Sequence, residues 1–249
     1  KGVAAVHCII VGYGTHERKE KMIFSYSDIA GEPKPNKAKI INGYLIDGEL
    51  VFFDRAKKQV SNELEMSRGN QPTDGGNLLL SDDEFKELIE IEPTAKKYIK
   101  RWCLWFDDCD PLQLNKDLEK MPLVMQRIEN VKNTRLLSSK AATVKKADTP
   151  HLFDERRYVD EPYIGLPRVS SENRKFIPIG FLDGEVAGDK LYVLLGGGLY
   201  HFGVLSSSMH NAFMRLTAGR MKSDYSYSNT IVYNNFPYPF DAKDEDNKT

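Results

Sequence analysis

Residues 219–228 carry the side chains with the most informative chemistry. They alternate with period two, so an extended strand would place Lys222, Asp224 and Ser226 on one face. The opposite face would carry Ser223, Tyr225 and Tyr227. The first face is wholly polar, and a lysine donor beside a carboxylate acceptor complements a G·C pair in the major groove, where guanine presents acceptors and cytosine a donor. A surface ion pair on a turn is the alternative interpretation.

Residues 167–175 form a dense set of donors for phosphate oxygens. The donors in this segment are Arg168, Ser170, Ser171, Arg174 and Lys175. A helix cap formed by one of the two serines is the alternative interpretation.

Residues 127–146 form the strongest basic run, with six Lys and Arg against Glu129 alone and a local charge of +5. Arg135 and Lys140 are its candidate phosphate contacts. A solvated surface of helix and loop is an equally good explanation of such a run.

The catalytic patterns in the first half of the chain are incomplete. Gly12-Tyr-Gly14 lacks the third glycine and the following helix of a dinucleotide-binding loop. Asp74, Glu84 and Lys86 have the order found in metal-dependent nucleases. However, Glu84 and Lys86 lie two residues apart on a predicted helix, where they cannot face one site.

The second half offers no better candidates. Residues 206–208 are three serines before a predicted helix, which is typical of caps, and residues 196–198 lack the Lys-Ser/Thr of a phosphate loop. His201 and His210 lie in aromatic and apolar surroundings that favour core histidines. The sequence therefore predicts no catalytic residue and no metal ligand in this chain.

Charge and composition limit the possible partners. The 249 residues include 35 Lys and Arg against 36 Asp and Glu, so a nucleic acid would have to be held by a local basic patch. No apolar run approaches the ~20 residues of a membrane span. Cys8, Cys103 and Cys109 are expected to be reduced thiols. Since the chain begins at Lys1 without a signal peptide, we expect a piece of a longer cytoplasmic protein.

Apolar patterning predicts strands in the first third of the chain. A continuous β-branched run over residues 3–11 predicts a strand buried on both faces. Shorter strands are predicted over residues 22–26, 44–46 and 50–53. Residues 69–77 are rich in turn formers and predict an ordered loop.

Two helical regions follow. Ser81 and Glu84 form a capping-box pattern that predicts the start of the first helix. The second region spans residues 111–137, and Pro122 suits the first turn of a new helix within it. On that helix the apolar residues Val124, Ile128 and Val131 share a face with Arg135.

The last third predicts strands over residues 176–181, 191–195 and 230–233 around one helix, residues 207–219. No linker interrupts the pattern. We therefore expect an α+β fold, with a mixed β-sheet and a few helices in a single compact domain over residues 1–240. A polar tail, residues 241–249, would fray at the end.

A series of stretches in order along the chain resembles one family. It includes Gly69-Asn-Gln-Pro-Thr-Asp-Gly-Gly-Asn77, Leu199-Tyr-His-Phe-Gly203 and Tyr233-Asn-Asn-Phe-Pro237, together with residues 4–10, 101–105, 140–143, 149–153, 167–171, 177–181 and 222–224. These resemble the target-recognition region of MmeI-type (type IIL) restriction–modification enzymes. Such enzymes are single polypeptides that join an endonuclease, an adenine-N6 DNA methyltransferase and a specificity domain.

The resemblance implies sequence-specific recognition of double-stranded DNA in bacterial defence. It places S-adenosylmethionine, Mg²⁺ for cleavage and the catalytic site in the methyltransferase and nuclease domains of the parent chain, with no cofactor in this fragment. The base-discriminating side chains of the family match Lys222, Asp224 and Ser226, with a further one near Lys190. The Asn-Pro-Pro-aromatic motif for a flipped adenine is absent, and residues 234–239 are only superficially similar to it.

One departure from the family lies between residues 98–100 and residues 101–102. Relatives carry additional residues there, whereas these two stretches abut in this chain. Either a surface loop is shortened or residues are missing from the sequence, which leaves the role of that loop open.

The leading hypothesis is a DNA-recognition module that is itself non-catalytic, from a parent that is an adenine-N6 DNA methyltransferase or a restriction–modification enzyme with endonuclease activity as well. The alternative is a protein-interaction or scaffold domain without DNA binding, which the near-zero net charge would suit. A steep salt dependence of duplex binding would separate the two.

Overall fold

The computed structural model describes residues 9–28, 31–158 and 160–239. The predicted strand over residues 3–11, Cys8 and the predicted tail over residues 241–249 lie wholly or largely outside these residues.

Helices and antiparallel sheets alternate along the described chain. The strands are β1 (Lys21–Ser25), β2 (Lys34–Ala38), β3 (Met66–Arg68), β4 (Ile99–Lys100), β5 (Cys103–Leu104), β6 (Tyr163–Pro167), β7 (Val169–Ser170), β8 (Gly180–Leu182), β9 (Leu191–Leu195), β10 (Gly219–Met221) and β11 (Asp224–Ser226). The helices are α1 (Asp82–Ile91), α2 (Pro111–Leu118), α3 (Pro122–Leu136), α4 (Ala141–Lys145), α5 (Leu199–Ser206) and α6 (Ser208–Thr217). Short 3₁₀ turns span Pro93–Tyr98 and Lys146–Asp148, and a π-helical turn spans Asn229–Tyr233. This mixture confirms the predicted α+β class, with the mixed sheet realised as separate antiparallel sheets.

The chain forms two compact units, each built from separated segments. The first unit comprises the described residues of Lys1–Glu63, Val169–Ile177 and Gly203–Thr249, and the second comprises those of Leu64–Arg168 and Pro178–Phe202. The predicted limits of 1–240 for a domain and 241–249 for a tail stay predictions.

The second unit contains a four-stranded antiparallel sheet in the order β3-β9-β6-β8. Its two central strands are apolar along their length, with Ile164 of β6 opposite Leu194 of β9. Such strands read as continuous apolar runs because both faces are covered. The strand predicted over residues 191–195 is confirmed as β9, whereas β6 was not predicted.

The helices of the second unit begin at the residues that local chemistry favours. Ser81 and Glu84 form both halves of the predicted capping box at α1. Pro122 occupies the first turn of α3, as predicted. No side chain of its own caps α3, and the buried carboxylate of Glu92 accepts hydrogen bonds from the backbone N–H groups of Leu123 and Val124 instead.

The first unit contains a three-stranded antiparallel sheet in the order β10-β11-β7 and the hairpin of β1 with β2. Ser207 caps α6 by accepting from the backbone N–H of His210, so a predicted cap is confirmed. The predicted single helix is shorter than expected and is preceded by the unpredicted α5.

Three predicted strands are wrong. Residues 44–46 form a turn because the buried side chain of Asn42 accepts from Tyr44 and Ile46 N–H and donates to the carbonyl of Glu49. Residues 50–53 form no strand. Residues 230–233 belong to the π-helical turn, in which the N–H of Asn234 donates to the carbonyl of Asn229. A short apolar run does not distinguish a strand from a buried helical turn.

The prediction for residues 176–181 holds only at its end, where β8 begins at Gly180. The backbone N–H of Ile177 donates to the side chain of Asn211 instead of a neighbouring strand. Because Asn211 takes the N–H of Ile177, that residue forms no strand pairing, and β8 begins only at Gly180.

Candidate nucleic-acid interface

Residues 219–226 form a tight hairpin, which corrects the predicted continuous extended segment. Met221 of β10 pairs with Asp224 of β11, and Lys222 and Ser223 are the two turn residues between them. Lys222 has a φ of 58° and is the only one of the two with a positive φ, as in a type II′ turn. Glycine is usual at that position, and its absence hid the hairpin from sequence analysis.

The two faces of β11 differ as the period-two pattern predicts. Tyr225 is buried in the strand, and Tyr227 is buried just beyond it, whereas Asp224 and Ser226 are only partly covered. Asp224 accepts a hydrogen bond from the backbone N–H of Glu172 at 3.3 Å. The aromatic rings therefore anchor the strand, and the polar side chains lie on its other face.

Lys222 is exposed at the turn. Within the described residues it forms no ion pair with Asp224, so the surface ion pair considered as an alternative is not present. The two side chains of opposite charge are thus not paired with each other at the tip of the hairpin, and Asp224 accepts from the backbone of Glu172 instead.

Two arginines beside this hairpin were missed by the sequence analysis. The guanidinium carbon of Arg220 lies 3.7 Å from the centroid of the Tyr225 ring, and that of Arg215 lies 5.6 Å from the same centroid. Both side chains are exposed. Arg220 and Tyr225 are cross-strand partners, a signal that is readable only once the turn at Lys222 is recognised.

The segment after β7 presents two of the predicted phosphate donors. Arg174 and Lys175 are exposed, and their backbone carbonyls accept hydrogen bonds from Arg215 at 2.8 and 2.7 Å. Ser171 is half-buried, and its hydroxyl accepts from the N–H of Asn173. Arg215 therefore holds in place the loop that carries Arg174 and Lys175.

Ser170 is a correction to the predicted phosphate contacts. It is buried in β7 opposite Tyr225, and its hydroxyl is shielded from solvent without a hydrogen-bond partner. The alternation of the strand points Val169 outward and Ser170 inward.

Arg168 and Lys190 belong to the second unit. The guanidinium of Arg168 is partly buried, donates to the carbonyl of Asp189 at 2.9 Å and lies over the Tyr192 ring. Lys190 is exposed and pairs with Asp189 at 3.1 Å. Arg168 therefore serves the fold with part of its donors, while the ammonium group of Lys190 remains accessible.

Arg135 is the second correction, because it is fully buried inside the second unit. It donates five hydrogen bonds to backbone carbonyls of two loops. The acceptors are Pro72, Thr73, Lys146, Thr149 and Leu152. Its donors are used and its charge is shielded, so it is a structural arginine rather than a phosphate contact.

The rest of the basic run divides between structure and surface. Arg127 pairs with Glu84 at 2.5 Å, and Lys146 pairs with Asp154 at 3.7 Å. The exposed cations of the run are Lys132, Lys140 and Lys145. The predicted contact Lys140 is therefore accessible.

The loop over residues 69–77 is ordered, as predicted. Asp74 is buried, and its carboxylate accepts from the backbone N–H groups of Gly76 and Leu78. Gly75 and Gly76 have positive φ values of 63° and 86°. A Cβ at Gly69 would overlap the carbonyl oxygen of Gly188, so this position also requires glycine.

The rejected catalytic groups have structural roles. His210 is fully buried, with Nδ1 2.9 Å from the carbonyl oxygen of Leu205 and Nε2 3.0 Å from the hydroxyl of Tyr227. Because a carbonyl only accepts, Nδ1 carries the proton and the Tyr227 hydroxyl donates to Nε2. Burial lowers the pKa of His210 to about 4, so the ring is neutral.

The described residues contain no cluster of three His, Cys, Asp or Glu side chains that could hold a metal ion. Cys103 and Cys109 are free thiols, and burial raises the pKa of Cys103 to about 11, which keeps it protonated. In the part of the chain that the structure describes, no helix has the length and apolar character needed to cross a bilayer.

Comparison with known proteins defines the class. Residues 47–240 match the family described as MmeI, target recognition domain. The chain is 34% identical over 254 aligned residues to DNA methyltransferase A of Bacillus subtilis (strain 168), covering 96% of this chain and 28% of that protein. It also matches the solved structure of the type IIL restriction–modification enzyme MmeI in complex with DNA, with a TM-score of 0.85 and 40% identity over 89% of this chain and 31% of that one.

The chain belongs to the family of MmeI target-recognition domains, as the sequence resemblance predicted. It spans less than a third of the length of these two relatives. The alternative of a scaffold domain is not favoured by these matches.

Proposed function

We propose that this chain reads the sequence of double-stranded DNA on behalf of a longer bacterial adenine-N6 DNA methyltransferase or restriction–modification polypeptide. The observation that carries the proposal is the hairpin of β10 and β11. A β-hairpin can enter the major groove, and this one is anchored by buried tyrosines and by the pairing of β11 with β7, while its tip presents Lys222 and Asp224.

In this proposal Lys222 and Asp224 read one G·C pair as a unit. The lysine ammonium donates to guanine O6 or N7, and the aspartate accepts from the N4 amino group of cytosine. Ser226 lies on the same face of β11 as Asp224 and is a further candidate for base contact. Lys190 is a candidate of the second unit.

Phosphate contacts would come from exposed cations that make no structural ion pair in the described chain. The set comprises Arg174, Lys175 and Lys140, with Ser171 as a neutral donor and Arg168 contributing its remaining amines. Such contacts fix the register of a protein on the duplex without reading sequence.

Chemistry would be performed by the remainder of the polypeptide, in the cytoplasm of the bacterial cell. In this proposal S-adenosylmethionine for methylation and Mg²⁺ for cleavage bind in that remainder, as the resemblance to the family implies. In bacterial defence the two activities would share the specificity that this chain supplies.

The methyltransferase part of the same polypeptide is proposed to pack against residues 9–52. Large apolar side chains are exposed there, including Ile10, Tyr13, Phe24, Leu50 and Phe52. The hairpin of β1 and β2 has little buried surface of its own. Exposed apolar side chains in this number favour an interaction surface, and residues 9–46 lie outside the matched recognition family.

Duplex binding at several salt concentrations tests the proposal. The logarithm of the association constant should fall linearly with the logarithm of salt concentration, since phosphate contacts release counterions. A scaffold domain would bind no duplex and show no such slope. Incubation of the chain with S-adenosylmethionine and DNA should give no methylation. Methylation by these 249 residues alone would contradict the proposal that the remainder of the polypeptide performs the chemistry.

A further inference from the structure

The tip of the reading hairpin adopts a conformation that its residues do not favour. Lys222 has a positive φ of 58°, a region that L side chains enter only under restraint. Lys222 is exposed, and its side chain makes no hydrogen bond or ion pair in the described part of the chain. The restraint therefore comes from the pairing of Met221 with Asp224 and from residues around the turn.

Arg220 makes the contacts that can do this. One amine of its guanidinium donates to the carbonyl oxygen of Ser223, the second turn residue, at 2.7 Å. The guanidinium group also lies over the Tyr225 ring, with its central carbon 3.7 Å from the centroid. One side chain thus bridges β10, the turn and β11.

The Tyr225 ring is a fixed support for that contact. It is buried, and its residue pairs with Arg220 on one side and with Ser170 of β7 on the other. Arg215 lies 5.6 Å from the same ring and donates to the carbonyls of Arg174 and Lys175. The hairpin is thereby tied to α6 and to the loop after β7.

We propose that Arg220 is a positioning residue for base recognition, which fixes Lys222 and Asp224 through the Ser223 carbonyl and the Tyr225 ring. The inference rests on the proposed function and adds to it a determinant of specificity that itself touches no base. Lysine cannot replace this arginine, because an ammonium group has no planar face to stack while it donates to the turn. A plain phosphate contact would tolerate lysine.

The variants that separate the two roles are Arg220→Lys and Arg220→Ala, with Arg55→Lys and Arg55→Ala as matched controls on an exposed arginine that has no proposed contact with DNA. Binding of the 249-residue chain would be measured to its preferred duplex, selected from a randomised pool. The comparison duplex carries the base pair assigned to Lys222 and Asp224 in the reversed orientation.

Discrimination between the two duplexes should be roughly ten- to a hundredfold in the wild-type chain. Arg220→Lys should reduce it about tenfold or more and leave the salt slope unchanged, whereas Arg55→Lys should change neither. If Arg220→Lys keeps the wild-type discrimination and only Arg220→Ala lowers the salt slope, Arg220 is a phosphate contact and the inference is wrong. If the wild-type chain binds no duplex, the proposed function itself fails.

Amide hydrogen exchange in the free chain gives a readout that does not depend on binding. Exchange over residues 221–226 should be faster in Arg220→Lys than in the wild type, while exchange in β9 stays the same. Equal exchange at the hairpin tip in both proteins would overturn the inference.

Discussion

Arg135 and Arg174 show how the environment of a single residue decides the role of the same side chain. Arg135 is buried and donates to five carbonyl oxygens, whereas Arg174 is exposed on a loop. Replacing Arg135 leaves several buried acceptors unpaired. Replacing Arg174 removes a charge that solvent already surrounds.

Methionine at these two positions should therefore have opposite consequences. Arg135→Met should lower the free energy of unfolding by about 3 kcal/mol or more, measured by denaturant titration. Arg174→Met should leave stability unchanged and weaken all duplexes about equally, lowering the salt slope by roughly one unit. Loss of sequence discrimination with an unchanged salt slope in Arg174→Met would contradict its assignment to phosphate.

His210 predicts a pH dependence of stability. Its pKa is lowered from 6.5 to about 4 by burial, so the unfolded chain binds a proton in this interval that the folded chain does not. Stability should therefore fall as pH is lowered from 6.5, by up to roughly 1.4 kcal/mol per pH unit from this group.

Thermal unfolding between pH 6.5 and pH 5 measures this effect above the range in which most carboxylates protonate. The variant His210→Gln removes the titrating ring and should flatten the slope in that window. An identical slope in the variant would show that other groups cause it.

The sequence contained a signal for the burial of Arg135 but none for the burial of Ser170. Arg135 was recognised on the apolar face of α3, a position that favours burial, yet its charge suggested phosphate. The five carbonyl acceptors come from distant loops, and sequence periodicity carries no information about them. Ser170 was misassigned because a strand of two residues has no readable alternation.

Among the elements, the loop over residues 69–77 depends on glycine at specific positions. Gly75→Val would place a β-branched side chain at a φ of 63° with its Cβ 2.9 Å from the hydroxyl of Thr134. This should cost about 1–3 kcal/mol of stability and lower binding in parallel. Gly69→Ala should have a similar effect, since its Cβ would overlap backbone oxygen.

Gly203→Ala is the control for both substitutions. Gly203 lies in α5 with no atom near the added Cβ, so alanine should stabilise the chain by about 0.5–1 kcal/mol. Circular dichroism melts compare the three variants. A fully stable Gly75→Val protein with altered sequence preference would show that the loop reads bases.

Elements with local signals could be predicted, and those fixed by distant contacts could not. The capping box at α1 and the proline that begins α3 involve neighbours in sequence. The hairpin turn at Lys222 contains no glycine, and the π-helical turn at Asn229–Tyr233 is apolar like a strand. The prediction that Asp224 and Tyr225 lie on opposite faces of the strand was correct, because the pleating of a strand alone determines which face each side chain occupies.

For the molecule as a whole, the exposed apolar side chains of residues 9–52 predict an internal interface of the longer polypeptide. Replacing Ile10 and Phe24 with serine should leave the unfolding of the 249-residue chain unchanged, because both side chains are exposed in it. In the full-length polypeptide the same changes should lower the unfolding temperature. Equal effects in both contexts would contradict the proposed packing.

The recognition of one G·C pair by Lys222 and Asp224 is tested most directly by reversing their charges in the full-length enzyme. Lys222→Glu alone would place a carboxylate against the guanine acceptors and beside the carboxylate of Asp224, and should abolish binding, whereas Lys222→Glu with Asp224→Arg presents the opposite polarity. Sequencing of methylated sites in cells that express the double variant should show C·G in place of G·C at one position, with every other position of the site unchanged. If the methylated sites still carry the original base pair there, Lys222 and Asp224 are not the readers of the DNA sequence.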